Sequence, residues 1–152
     1  MFSVLCAAPG YLARQGTPQA PQALAGHTCL RLVNSSFSST WELARGRQRF
    51  SLDPEGPLVG NTVEVLLDGA LSGLGIVMLP AYSVVDDLRR GRLVLPGWRS
   101  PEIGIFALLP SGRFVDAKTR AWIDLLKQHL PPAIARDTAY FEASRKARQA
   151  ND

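Results

Sequence analysis

The chain has 152 residues, 46% of them hydrophobic and 20% charged, which suits one ordinary folded core and excludes an intrinsically disordered segment. Its net charge of +4 is scattered over Arg31, Arg45, Arg47, Arg49, Arg89, Arg90 and Arg92, so no single element reads as a nucleic-acid face. No stretch approaches the ~20 apolar residues needed to span a bilayer. The two cysteines, Cys6 and Cys29, sit in apolar runs and read as buried thiols of a reducing compartment.

Residues 3–8 read as a strand ended by Pro9-Gly10, followed by short helices over 10–15 and 21–25 that Gly16 and Gly26 close. Residues 27–33 form a second strand, which runs into the polar loop 34–40. Residues 41–44 and 49–53 suit a hairpin around Arg45-Gly46-Arg47, and 57–60 is a brief extended segment. The most informative stretch is 61–80, NTVEVLLDGALSGLGIVMLP. Asn61 or Thr62 can cap a helix, and Glu64 stands three residues after Asn61, the spacing of a capping box. Val63, Leu66, Leu67, Ala70, Leu71 and Leu74 make one apolar stripe with a 3.6-residue period. Gly73 and Gly75 are expected to stop the helix through positive φ, and Ile76-Val77-Met78-Leu79 is a strand buried on both faces. A further helix covers 81–90 and stops at Gly91, with a strand over 92–95. Ser100-Pro101-Glu102 is a candidate boundary. After it come an apolar strand over 103–109, a helix over 116–130, a break at Pro131-Pro132 and a weakly helical tail over 140–146.

The residues with chemistry to offer are few. His27 and His129 have no acidic or thiol neighbour at metal-ligand spacing, so no metal site and no cofactor are expected. Leu71-Ser72-Gly73-Leu74-Gly75 only superficially resembles a nucleophile elbow, because Ser72 ends a helix instead of linking a strand to one. Asp86 and Asp87, with Arg89 and Arg90 next in line, read as an exposed, charge-balanced helix face. Asn34-Ser35-Ser36 after the second strand and Asn61-Thr62 before the best helix are the polar groups at strand ends, where open α/β sheets bind ligands. From residue types alone the same groups read better as a solvated loop and a simple helix cap.

The 61–80 stretch resembles the effector-binding region of LysR-type transcriptional regulators, with their "aGlGia.lP" signature. APGYLARQGTPQAPQALAGHTCL (8–30), DLRRGRLVLPGW (87–98) and IGIFALLPSGRFVDAKTRAWIDLLKQHL (103–130) resemble three further family segments, in order. Trp41-Glu42-Leu43 places the resemblance nearest the group with a Trp-x-Leu strand. The resemblance covers about 3–130 and implies an α/β, periplasmic-binding-protein-like (type 2) subdomain whose mixed sheet is flanked by helices. It implies that 1–101 is regulatory subdomain II, that 102–130 is the returning strand and helix of subdomain I, and that 131–152 is a tail. The winged helix-turn-helix and the first half of subdomain I would be absent, so DNA binding would belong to a separate N-terminal domain. An exposed apolar surface is expected around the returning strand and helix.

The expected role is to sense a small effector, such as a carboxylate, in a homodimer or higher homo-oligomer in the cytoplasm. Neither a membrane nor a catalytic role is implied. By the resemblance the effector-binding residues are Asn34, Ser35, Ser36, Phe37, Ile103 and Gly104, and Asn61 and Thr62 join them by their place at a strand end and helix start. The alternative function is a stand-alone solute-binding domain related to periplasmic binding proteins.

Overall fold

The computed structural model describes residues 1–33, 40–93, 97–106, 108 and 116–149, with side chains as far as 144. They fall into two units, Phe2–Glu102 and Met1 with Ile103–Asp152.

The first unit is built on a four-stranded mixed sheet, ordered β1-β6-β2-β5. Its strands are β1 (Ser3–Cys6), β2 (Cys29–Leu32), β5 (Val59–Gly60) and β6 (Ile76–Pro80). β2 runs parallel to β5 and β6, while β1 runs antiparallel to β6 with Ser3 opposite Pro80. β1, β2 and β6 are buried along nearly their whole length, with only Arg31 and Met78 partly exposed, because both faces are covered. On one face Leu5, Cys29 and Ile76 join Tyr11 and Leu12 of α1 (Pro9–Gln15), Leu24 of a 3-10 turn (Pro21–Gly26), and Trp41, Leu43 and Trp98. On the other face α2 (Val63–Leu71) packs over β2, β5 and β6, and α3 (Ala81–Arg89) packs over β6.

β3 (Trp41–Arg45) and β4 (Gln48–Leu52) form a hairpin in which Arg45 pairs Gln48. Only Gly46 and Arg47 lie between them, and Gly46 has φ 61°, as a tight hairpin turn demands of its first central residue. Arg99 bridges both Val4 of β1 and Ala44 of β3, tying the hairpin to the sheet. Trp41 and Leu43 are buried and Glu42 is exposed, the alternation of a half-buried strand.

Both helices that pack on the second face end in the same way. Gly73 (φ 74°) donates to the Ala70 carbonyl and Leu74 to the Gly69 carbonyl; Gly91 (φ 69°) donates to Leu88 and Arg92 to Asp87. These are paired 5→2 and 6→1 bonds of Schellman ends, each with glycine at C′. Gly75 differs from the expectation. It has no positive φ, and a Cβ there would strike the Thr28 carbonyl, so this glycine serves close backbone approach instead. Leu74 lies beyond the stop and is exposed, so the stripe ends at Leu71.

Asp87 corrects the reading of an exposed acidic pair. Asp86 is exposed and pairs with Arg89 at 3.2 Å, but Asp87 is buried and pairs with Arg92. Two adjacent helix positions point about 100° apart, so only one of the pair can face solvent fully. Cys6 and Cys29 are both free and buried. They belong to β1 and β2, with β6 between them, which sets their backbones roughly 9–10 Å apart. Disulfide Cα atoms stand within about 7 Å, so this pair cannot bridge.

In the second unit α4 spans Ala117–Gln149. Asp116 caps it, accepting the Thr119 N–H at 2.8 Å and the Thr119 hydroxyl at 3.0 Å. These bonds hold the Asp116 carboxyl below its usual range, the backbone donor first. Pro131 and Pro132 lie inside the helix and do not break it, contrary to expectation. Proline's φ is itself helical; what it removes is a hydrogen bond and a steric fit, at about 3 kcal/mol each. Leu125, Leu126 and Lys127 before the pair, with Ala133, Ala135 and Arg136 after it, are strong helix formers that carry the helix through.

The expected strand over 103–109 is not formed at 103–106 or at 108, and 107 and 109 lie outside the described residues. A strand exists by its ladder, and Ile103, bonded to Met1 in both directions, is the one position of this run with such a bond among the described residues. Arg92 and Leu93 are likewise in no strand, and 94–96 lie outside the described residues.

Candidate functional site

Because β2, β5 and β6 are parallel, their carboxyl ends share one edge of the sheet. β2 leaves through Val33, whose N–H bonds the Gly60 carbonyl at 2.9 Å and holds the ends of β2 and β5 side by side. β5 passes through Asn61 and Thr62 directly into α2, and β6 passes through Pro80 directly into α3. Two helix N-termini therefore open at this edge. Each presents first-turn N–H groups and the positive end of a helix dipole.

Thr62 is the N-cap of α2, with extended φ −125° and ψ 151°, yet its side chain makes no capping bond. Glu64 then falls at N2 instead of the N3 position a capping box requires, and Val65 occupies N3. The expected box is absent for that reason. Its consequence is chemical: Thr62's hydroxyl is not engaged in capping, and Asn61 and Thr62 are both exposed beside the first turn of α2. Glu64 adds a negative charge in the same turn, which steadies the helix dipole and weighs against a strongly anionic ligand.

At the third strand end, α3 begins at Ala81 with no side-chain cap, and Tyr82 in its first turn is 58% exposed. Ser83 sends its hydroxyl back to the Pro80 carbonyl at 2.7 Å. Sequence reading missed Tyr82; the signal was a buried strand passing through Pro80 straight into a helix, which aims that helix's first turn at the edge. Ser3, opposite Pro80, is held by Ser100: the Ser3 N–H donates to the Ser100 hydroxyl at 2.8 Å, and the Ser100 N–H donates to the Ser3 carbonyl at 2.8 Å. The Ser100 hydroxyl in turn donates to Pro101 at 2.8 Å.

Of the expected site residues, Asn61 and Thr62 stand at this edge beside Val33. Asn34, Ser35, Ser36 and Phe37 continue from Val33 and lie outside the described residues. Ile103 and Gly104 belong to the second unit, where both are exposed and in no regular element. At the opposite edge the Tyr11 hydroxyl accepts the Thr28 N–H at 3.0 Å and faces Nδ1 of His27 at 3.2 Å, locking α1 to the start of β2. His27 thus has a structural partner. Among the described residues no cluster of His, Cys, Asp or Glu could hold a metal ion. Also among them, no helix is long and apolar enough to cross a membrane.

A mixed α/β sheet with parallel strand ends and helix N-termini gathered at one edge is the frame of a periplasmic-binding-protein-like (type 2) domain. The family model for the LysR substrate binding domain matches residues 3–131, and the chain belongs to that family. It is 40% identical over 134 residues to the HTH-type transcriptional regulator PtxR of Pseudomonas aeruginosa, covering 84% of this chain and 41% of the relative. It is 33% identical to the regulator CrgA of Neisseria meningitidis, covering 82% and 42%. The chain thus spans about two-fifths of the length of the curated relatives it matches. Among solved structures, the regulatory domain of AphB from Vibrio vulnificus aligns with a TM-score of 0.69 at 22% identity, covering 84% of this chain and 64% of that one. The CrgA regulatory domain aligns with a TM-score of 0.55 at 32% identity, covering 62% and 48%.

Proposed function

We propose that this chain works as the effector-sensing and oligomerising part of a LysR-type transcriptional regulator in the cytoplasm. A small metabolite sits at the carboxyl edge of β2, β5 and β6 and favours one arrangement of the regulator over another. Coupling of that kind amounts to about 1–3 kcal/mol, enough to change occupancy of DNA held by a separate domain. In this reading Phe2–Glu102 is regulatory subdomain II, and the segment from Ile103 through α4 returns to subdomain I. The observation that carries the reading is the start of α2 at the end of β5, where the Thr62 side chain makes no capping bond. Oriented N–H, hydroxyl and amide groups hold a carboxylate or a hydroxylated ligand without a full counter-charge. The family resemblance adds Asn34, Ser35, Ser36 and Phe37, which follow β2 in the sequence, and Ile103 and Gly104 of the returning segment as further candidate contacts. The chain acts by binding and carries out no catalysis, in keeping with relatives that are regulators.

Binding of such a ligand is expected at micromolar affinity, roughly −7 kcal/mol at ~10 μM. A thermal-shift and calorimetric screen of small carboxylates, aromatic acids and sugars tests this. The expected result is a ligand of intermediate affinity whose binding drops roughly tenfold in Thr62→Ala, the loss of one hydrogen bond to a charged group. A ligand indifferent to Asn61 and Thr62 would refute the site.

A further inference from the structure

On one face of the sheet β2 loses its cover towards its carboxyl end. Leu30 packs against Gly69 of α2, so strand alternation turns Cys29, Arg31 and Val33 to the opposite face. There Cys29 is fully buried with Trp41 and Leu43, Arg31 is half-buried and Val33 is exposed. Arg31 thus stands at the rim of the core, paired with Val59 of β5, two residues before Asn61. Among the described residues only two arginines are not exposed, and they differ in what holds them. Arg99 lies 4.5 Å from the Phe2 ring centre and 3.7 Å from Glu102. Arg31 makes no ion pair and no side-chain hydrogen bond among the described residues, and its Nε is shut off from solvent as well. Packing of the stem over apolar neighbours accounts for the burial, but it does not give the Nε–H an acceptor. A charged donor cut off from water is costly until an acceptor meets it. A carboxylate does so well, taking Nε–H and a terminal N–H in two parallel bonds.

Other groups at this edge describe the rest of the ligand. Val33 after β2, Val65 in the first turn of α2 and Tyr82 in the first turn of α3 are exposed apolar side chains, which suit an apolar body. Glu64, in that first turn of α2, disfavours a second negative charge. We propose that Arg31 is the carboxylate anchor of this site and that the ligand is a monocarboxylate with an apolar body. The proposal rests on the effector reading of this edge and adds the counter-charge that Asn61, Thr62 and the helix starts lack.

The test is calorimetry of the full chain with hexanoate and phenylacetate, each beside its uncharged primary amide, for the wild type, Arg31→Met and Arg31→Lys. Methionine keeps an unbranched stem without the charge, and lysine keeps the charge without the planar fork. The wild type is expected to bind a carboxylate roughly tenfold or more tighter than its amide, as a charge-assisted pair requires. Arg31→Met should bind acid and amide alike, with a melting midpoint at or above that of the wild type, because an unmet charge has been removed. Arg31→Lys should fall between, and it decides alone if Arg31→Met does not melt cooperatively. An acid preference that survives in the variants would make Arg31 a packing residue and overturn the proposal. So would a wild type that shows no preference, or one that binds neither carboxylate at millimolar concentration. Amides whose binding weakens in Thr62→Ala but ignores Arg31 would overturn the anchor and leave the effector edge standing.

Discussion

At the residue scale, burial decides what the polar and reactive groups do. Burial pushes the Cys6 thiol up to about 12, with the nearby Asp87 charge adding to it, and burial pushes Cys29 up to about 11, against an ordinary 9.0. A thiolate is the reactive form, so neither residue is a nucleophile or a sensor of oxidants at neutral pH. A thiol-specific colour reagent at pH 8 should detect no free thiol in the native chain and two in denaturant. Because the folded thiols hold their protons where unfolded ones release them, their contribution to stability is complete below pH 9. It is lost as pH rises from about 9 towards 12. A Cys6→Ala variant should show a shallower loss across that window.

Glycines separate equally sharply. Gly75→Ala would drive a Cβ into the Thr28 carbonyl and should cost about 2 kcal/mol or more in denaturant melts. Gly26→Ala, with open space and no special φ, should stay within about 0.5 kcal/mol. The sequence marked both as punctuation; only the sheet shows that one touches a neighbouring backbone. The capping box failed for a similarly local reason, since the cap is Thr62 and the register puts Glu64 one position short.

Among the elements, periodicity and punctuation located β1, α1, β2, the hairpin, α2, β6 and α3 to within a residue or two, because each is held by local pattern and by burial on the first unit's sheet. Gly91 at C′ of α3 was legible because only a positive-φ residue closes that pair of bonds. The errors gather where tertiary context decides. A strand over 103–109 needs a ladder partner, which no local pattern can supply. Pro131 and Pro132 were read as geometric stops, whereas they act as an energetic cost that the surrounding helix absorbs. Replacing both by alanine should therefore stabilise α4 by several kcal/mol, about 3 for each proline. Far-UV circular dichroism would register it as greater helicity and later melting. An unchanged helix signal and melt would mean that the prolines carry no such cost in α4.

For the whole molecule, the mixed order β1-β6-β2-β5 gathers three strand ends and two helix starts at one edge. Sequence reading reached Asn61 and Thr62 through the polar residues at a strand's end, but not the edge itself, because the order of strands is a long-range property. Tyr82 enters the candidate site only once β6 is placed beside β2. The same topology puts the start of β2, with Tyr11, His27 and Thr28, at the far edge, where the groups are engaged with one another. In the proposed function the first edge senses the effector, while the second only locks α1 to β2.

Amide chemical-shift mapping of the isotope-labelled chain, titrated with the best small carboxylate from the screen, tests that claim most directly. Shifts are expected to concentrate at Val33, Asn61 to Val65 and Ala81 to Tyr82, with Thr28 and Ile76 unmoved. Shifts centred on Tyr11, His27 and Thr28, or spread evenly over the sheet, would contradict it.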